Sequence, residues 1–271
     1  MNRQIGLVAG DGALPLEIAR RLAQRGAPPV IYALSGNNAG IGEFASGFVR
    51  LKDPRLGELA DDAAERNIGS ILLAGRVPKS LMFRPDLMDD VLKNLIAELP
   101  VRDDHSLLGA IVAFLESRGI RVLSYKDIIP ELMAPLGHIA GRTPSLEENG
   151  DILYGARIAS AVVPLSFGQT VVVHGRSVVA VEAMEGTDAA IERAGKISGG
   201  GVVIKMMRPD QDERFDLPTV GTETLKSMHD AGLTCLAVES GRTIVLGSDL
   251  FKESARSWDI AVTGITPDLS S

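Results

Sequence analysis

A single cysteine, Cys235, is all the thiol chemistry that this chain of 271 residues carries. A disulfide framework is therefore excluded. The apolar surroundings of Cys235 in Leu233-Thr234-Cys235-Leu236-Ala237 predict a buried core thiol in a chain at home in the cytoplasm. Aromatic residues are scarce at 4%, so the core is expected to be aliphatic. Positive charge is in deficit: 28 Lys and Arg stand against 35 Asp and Glu, for a net charge of -7. With no basic run, the chain lacks the surface that neutralises nucleic-acid phosphates, and no nucleic-acid partner is expected. No uninterrupted apolar run approaches the roughly 18 residues of a membrane span. The start MNRQIGLVAG enters a strand and a glycine turn without an apolar leader core, so contact with a membrane is expected to be peripheral at most. The four histidines, His105, His138, His174 and His229, show neither HxH nor HExxH spacing, which leaves a structural zinc site or a His-rich dinuclear centre without support. A GxSxG elbow and a GxxxxGK[ST] loop are both missing, which removes triad hydrolases and P-loop NTPases.

What is present fits an α/β protein with room for two domains. Ile5–Ala9 is a short buried-type run, followed by Gly10-Asp11-Gly12 and then by a segment whose apolar positions recur at helical spacing. Val30–Leu34, Gly47–Leu51 and Ser70–Ala74 repeat the strand signal, and helices are predicted over 85–97 and 103–118. Alternation of this kind predicts a mostly parallel sheet covered on both faces. From Ala134 the periodicity disappears in favour of Gly, Pro, Ser and Asn. The predicted layout is residues 1–133, a linker over 134–148, and residues 149–271. In the second part, two β-branched runs around Gly175-Arg176 predict a tight hairpin, and a second hairpin is predicted around Gly241-Arg242. Helices are predicted over 151–163, 222–231 and 249–257, so this half is α/β with a mixed sheet.

Gly10-x-Gly12 between a strand and a helix suits close approach of an anion to backbone N–H groups. Pro15 stands where the dinucleotide fingerprint has its third small residue, and the second strand ends without an acid for a ribose hydroxyl, so a nicotinamide-dependent oxidoreductase is disfavoured. The densest chemistry lies between Val178 and Gly221. A strand runs out into Glu182, Glu185 and Asp188, a helix starts at Gly186-Thr187, a second strand ends on Lys205, and Pro218 stiffens the turn that carries Asp216. Each residue alone reads as a cap or a turn former. Together they place carboxylates, a cation and free N–H groups at element ends, as in a site built on loops. Asp103-Asp104 adds a further acidic pair at a helix start, where the helix dipole alone accounts for it. Hard carboxylate oxygens near phosphate-binding groups point to a magnesium-assisted phosphate or pyrophosphate enzyme.

Several stretches carry a family resemblance: GLVAGDGALPLEIA, GIGEF at Gly40–Phe44, LLAGRVPK, RDDHSLLGAI, AVEAMEGTDAAI, VVIKMMRP and DLPTVG at Asp216–Gly221. In colinear order they resemble the LpxI-type UDP-2,3-diacylglucosamine pyrophosphatases. The resemblance implies a Rossmann-like N-terminal domain and a C-terminal α/β domain. It further implies Mg²⁺-dependent hydrolysis of UDP-2,3-diacylglucosamine to 2,3-diacylglucosamine 1-phosphate and UMP, an early step of lipid A synthesis, with attack at the sugar-side phosphorus. It suggests a homodimer working at the cytoplasmic side of the inner membrane. The essential aspartate of the family's DLPTxG motif corresponds to Asp216. On this basis Asp216, Asp188 and Lys205 are the expected catalytic residues, and Asp216, Asp188 and Glu185 the expected metal ligands. Gly10, Gly12, Ala13, Gly75, Arg76, Asp104, Glu185, Gly186, Thr187 and Thr219 are the expected substrate contacts. Leu81-Met82-Phe83 and Leu87-Met88 are candidates for an acyl-chain chamber, Met being adaptable to flexible tails. The rival from another class is a module that binds a nucleotide-sugar or lipid without chemistry. Several carboxylates serve such a binder of a pyrophosphate only where a metal bridges them.

Overall fold

The computed structural model of the chain describes residues 4–34, 39–51, 53–77, 84–100, 104–166, 168–209 and 211–267, apart from the side chains of Pro85, Asp104, His105 and Ser248. The chain divides into two compact units. One comprises Met1–Pro130 and Asp212–Phe215, the other Glu131–Gln211 and Asp216–Ser271.

The first unit runs β1 (Gln4–Ala9), α1 (Ala13–Gln24), β2 (Val30–Ala33), β3 (Gly47–Arg50), α2 (Leu56–Glu65), β4 (Ile68–Ala74), α3 (Asp90–Glu98), α4 (Asp104–Ser117), β5 (Arg121–Val122) and α5 (Tyr125–Ile128). Its five strands are all parallel, in the order β3-β2-β1-β4-β5. Leu7 to Ala9 and all of β2 are buried on consecutive residues, which requires cover on both faces and matches the apolar runs of the sequence. In α1 the stripe Leu14, Ile18 and Leu22 turns inward at helical spacing. The helix predicted from Pro85 begins instead at Asp90, because the Asp89 carboxylate caps it by accepting the Leu92 N–H and also takes the Gly57 N–H. The return of Asp212–Phe215 to this unit is held by Tyr125, whose N–H donates to Arg214 O and whose hydroxyl donates to Phe215 O, and by the Arg214–Glu116 pair at 2.9 Å.

The second unit runs β6 (Gly137–Ala140), α6 (Leu146–Val162), β7 (Thr170–His174), β8 (Ser177–Val181), α7 (Thr187–Ser198), β9 (Val202–Lys205), β10 (Thr219–Val220), α8 (Thr222–Asp230), β11 (Cys235–Glu239), β12 (Ile244–Val245), α9 (Ser248–Ser257) and β13 (Ala261–Ile265). Its main sheet has the order β6-β13-β11-β9-β7-β8, with β13, β11 and β9 parallel and the rest antiparallel to their neighbours. Alternation sorts the side chains. Val172, Val203, Leu236 and Val262 share one core cluster with residues of α7, α8 and α9, while Val171, Val173, Val202, Ile204 and Cys235 share another with α6. Cys235 is a buried free thiol, as expected, and burial pushes its pKa up.

The β7–β8 hairpin forms where predicted. Gly175 and Arg176 both have positive φ, 57° and 56°, and Asp151 accepts both of their N–H groups at 2.9 and 2.6 Å. Two other expectations fail. The region read as a linker contains β6, hydrogen-bonded to β13, and the Ser145–Glu148 capping box that starts α6. Its pieces are too short to print a period. The second predicted hairpin does not exist: β12 pairs with β10 in a separate parallel ladder. Both edges of β11 are already taken by β9 and β13, so Ile244–Val245 finds no edge there. Among the described residues no helix is long and apolar enough to cross a membrane.

Candidate active site at the strand ends of the second unit

Parallel strands place their C-terminal ends along one edge of a sheet, and loops at that edge are where α/β proteins bind ligands. In the second unit β9 ends there on Lys205 and β11 on Glu239, with Val238 in register with Lys205. Antiparallel β7 starts at the same edge, Thr170 facing Lys205, and β8 runs out there into Glu182.

Lys205 is only 9% exposed. Its ammonium donates to Thr187 Oγ1 at 3.2 Å and to the Thr219 carbonyl at 3.4 Å. Thr187 in turn donates to Glu182 Oε1 at 3.1 Å. Both Lys205 acceptors are neutral, and among the described residues no carboxylate lies within 4.0 Å of Nζ. Burial drives the lysine pKa down, and the negative charges of Glu182 and Asp188 partly oppose that. A cation kept here with one N–H to spare suits an anionic ligand. Next to it, α7 starts at Thr187 behind Gly186, which has φ 86° and provides no side-chain cap. The first N–H groups of that helix therefore have no intrahelical acceptor.

Asp216 lies half-buried on the segment that follows β9. Its Oδ2 accepts from Gln211 Nε2 at 2.9 Å, and Oδ1 has no hydrogen-bond partner among the described residues. Gln211 Oε1 accepts the Arg208 N–H at 2.9 Å. Upstream of Asp216, the Met207 N–H donates at 2.8 Å to Glu239, which is 1% exposed and pairs with Arg242 at 3.0 Å.

Models of the LpxI N-terminal domain and the LpxI C-terminal domain match residues 4–132 and 135–263. The chain belongs to the LpxI family. A relative from Caulobacter vibrioides, named UDP-2,3-diacylglucosamine pyrophosphatase LpxI, is 30% identical over 98% of each chain. Among solved structures, an imine reductase from Myxococcus stipitatus in complex with NAD⁺ is matched over 96% of this chain and 59% of its own, at 10% identity and a TM-score of 0.29. At that score the likeness bears on neither fold nor function.

Within this LpxI-family chain, Lys205 meets Thr187 and Thr219, with Gly186 directly before Thr187. The three expected metal ligands do not come together. Glu185 is paired with Arg193 at 2.7 Å, Asp188 accepts from Ser227 of α8 at 3.1 Å, and Asp216 is held by Gln211. No group of three metal-ligating side chains exists among the described residues. A three-carboxylate magnesium cage therefore does not fit; Asp216, with one uncommitted oxygen, fits the mode in which a single carboxylate joins substrate phosphates.

The remaining candidates lie in the first unit, at the point where its strand order reverses between β1 and β4. There Gly10 N donates to Ala74 O, and Asp11 and Arg76 exchange two backbone hydrogen bonds at 2.8 Å. A Cβ on Gly10 would lie 2.5 Å from Arg76 O, and one on Gly75 would lie 2.7 Å from the Gly10 carbonyl carbon. The chain's own close approach thus accounts for both glycines. Gly12, at φ 109°, precedes α1 without a side-chain cap, and Ala13 is the first helical residue. The Asp104 side chain and Leu81–Phe83 lie outside the described residues. Met88, proposed for an acyl chamber, is instead packed into the core with Leu92 and Ile96.

Sequence reasoning missed Gln211 and Glu239. Glu239 had a signal, an acid closing the apolar strand CLAVE; Gln211 had none, because its partner lies five residues away with no periodic element between them.

Proposed function

We propose that this LpxI-family protein hydrolyses the pyrophosphate of UDP-2,3-diacylglucosamine to UMP and 2,3-diacylglucosamine 1-phosphate, an early step of lipid A synthesis; its relative's name is that of a UDP-2,3-diacylglucosamine pyrophosphatase. The observation that carries the proposal is the buried Lys205 ammonium, without a carboxylate partner among the described residues, beside the uncapped start of α7. A fixed cation and free N–H groups in a partly dry site stabilise the negative charge that builds on phosphoryl oxygens in the transition state. Water then attacks one phosphorus, on this reading the sugar-side one. The bridging P–O bond breaks with its electron pair leaving on the UMP phosphate, and Asp216 Oδ1 accepts a proton from the water. Magnesium would supply further charge neutralisation on the pyrophosphate; with one free oxygen, Asp216 would serve as its ligand as the alternative to taking the water's proton.

The test incubates the purified protein with UDP-2,3-diacylglucosamine, with and without EDTA, and follows UMP. UMP release is expected, suppressed by EDTA and restored by magnesium. Asp216→Ala should lower turnover by at least about 10²-fold while substrate affinity changes little, because a group acting mainly in the transition state affects rate more than binding. Tight binding without UMP from the wild-type chain would instead identify a binding module, and full turnover by Asp216→Ala would remove Asp216 from the chemistry.

A further inference from the structure

The geometry points to Gln211 as the residue that positions Asp216, an inference that rests on the catalytic reading of Asp216 just given. Gln211 is 7% exposed, and both ends of its amide are committed. Oε1 accepts the Arg208 N–H at 2.9 Å, which fixes the orientation of the amide. The carbonyl end faces a donor, so Nε2 must face Asp216 Oδ2, also at 2.9 Å. One carboxylate oxygen is thereby pinned and the other, Oδ1, left uncommitted. Gln211 is itself tied down: its own N–H donates to Arg208 O at 3.2 Å, and the preceding Met207 N–H is held by buried Glu239. On the other side Asp216 runs into the buried pair Leu217-Pro218. Asp216 is therefore held by its backbone on one side and by its side chain on the other, the support a reacting carboxylate needs to stay within tenths of an ångström of its working geometry.

Two variants separate positioning of Asp216 from a simple loop clamp. Gln211→Glu keeps the acceptor for the Arg208 N–H and nearly the same shape, but sets a carboxylate against Asp216 in place of a donor. Gln211→Met fills the same volume and removes both bonds. If Gln211 positions Asp216, Gln211→Glu lowers kcat at least about tenfold, as much as Gln211→Met or more, with KM and substrate affinity within about threefold of wild type. If Gln211 merely clamps the loop, Gln211→Glu turns over like wild type and only Gln211→Met loses activity or melts early. That pattern, or a loss confined to KM, overturns the inference. Should Gln211→Glu fail to fold, Gln211→Met decides: a wild-type kcat in that variant is equally fatal, and a tenfold fall at unchanged KM and melting temperature sustains the assignment. Asp216→Ala, run alongside, separates the two levels. Full activity there defeats the catalytic reading and this inference together. Loss of activity there with normal Gln211 variants defeats only the inference.

Discussion

Both units end parallel strands on loops rich in polar and glycine residues, yet the two sets of strand ends are spent differently. In the first unit the glycines beyond β1 and β4 let the chain meet itself: Asp11 and Arg76 bond backbone to backbone, and Gly10 leaves room for a carbonyl. In the second unit the groups beyond β8 and β9 keep spare capacity: among the described residues the lysine has no carboxylate partner and the aspartate has an unused oxygen. Glycines at a strand end are thus explained by internal packing without any ligand. A buried ammonium with no carboxylate in direct contact is not, since two neutral acceptors and the more distant charges of Glu182 and Asp188 offset its desolvation only in part.

The substitution that strikes hardest at this contrast is Lys205→Met. It should lower kcat/KM by about 10²-fold, the scale of losing one preorganised electrostatic contact. Its melting temperature should stay level or rise, because a buried charge that is only partly compensated is replaced by a chain of similar volume. Steady-state kinetics and thermal melts together check this; a marked loss of melting temperature with normal kinetics would make Lys205 structural. Gly75→Ala tests the other side. With φ at 89° and backbone atoms at 2.7 and 2.8 Å from the new Cβ, it should destabilise the protein by about 2–4 kcal/mol. KM should hold in whatever remains folded. An unchanged melt with a raised KM would return Gly75 to the substrate site.

The smallest effect contrasts Lys205 with a buried acid that is fully paired. Burial favours the neutral form of Glu148, but the Arg142 fork, the Thr234 hydroxyl and the Ser145 N–H outweigh it and hold its pKa at about 2, below the ordinary 4.5. A depressed carboxylate pKa contributes stability that is complete above the unfolded value near 4.5 and lost as pH falls toward 2. Wild-type melting temperature should therefore fall through that window, and Glu148→Gln should start lower at neutral pH and show a shallower slope. Parallel slopes for the two proteins would remove Glu148 from the acid sensitivity.

Much of this was legible in the chain. The buried strands β1, β2, β4 and β9, the β7–β8 turn and the amphipathic helices print local periods and turn residues that survive without knowledge of partners. Lys205 and Thr187 were legible as residues at element ends. The metal set was not, because adjacency in sequence placed Glu185, Asp188 and Asp216 in one stretch, while α7 directs Asp188 to α8 and Arg193 claims Glu185.

By itself, then, the sequence determined that this is an α/β chain with a parallel first sheet, a mixed second one and charged residues gathered at element ends between Val178 and Gly221. Composition and hydrophobic period are local quantities, and they act before any long-range contact forms. Only the tertiary structure decided that residues 137–140 join a sheet, that β12 pairs with β10, that Gly10 and Gly75 serve a backbone crossing, and that Gln211 holds Asp216. Each of these depends on which edge or polar atom remains available once the other strands and side chains have paired, and that competition is settled in three dimensions.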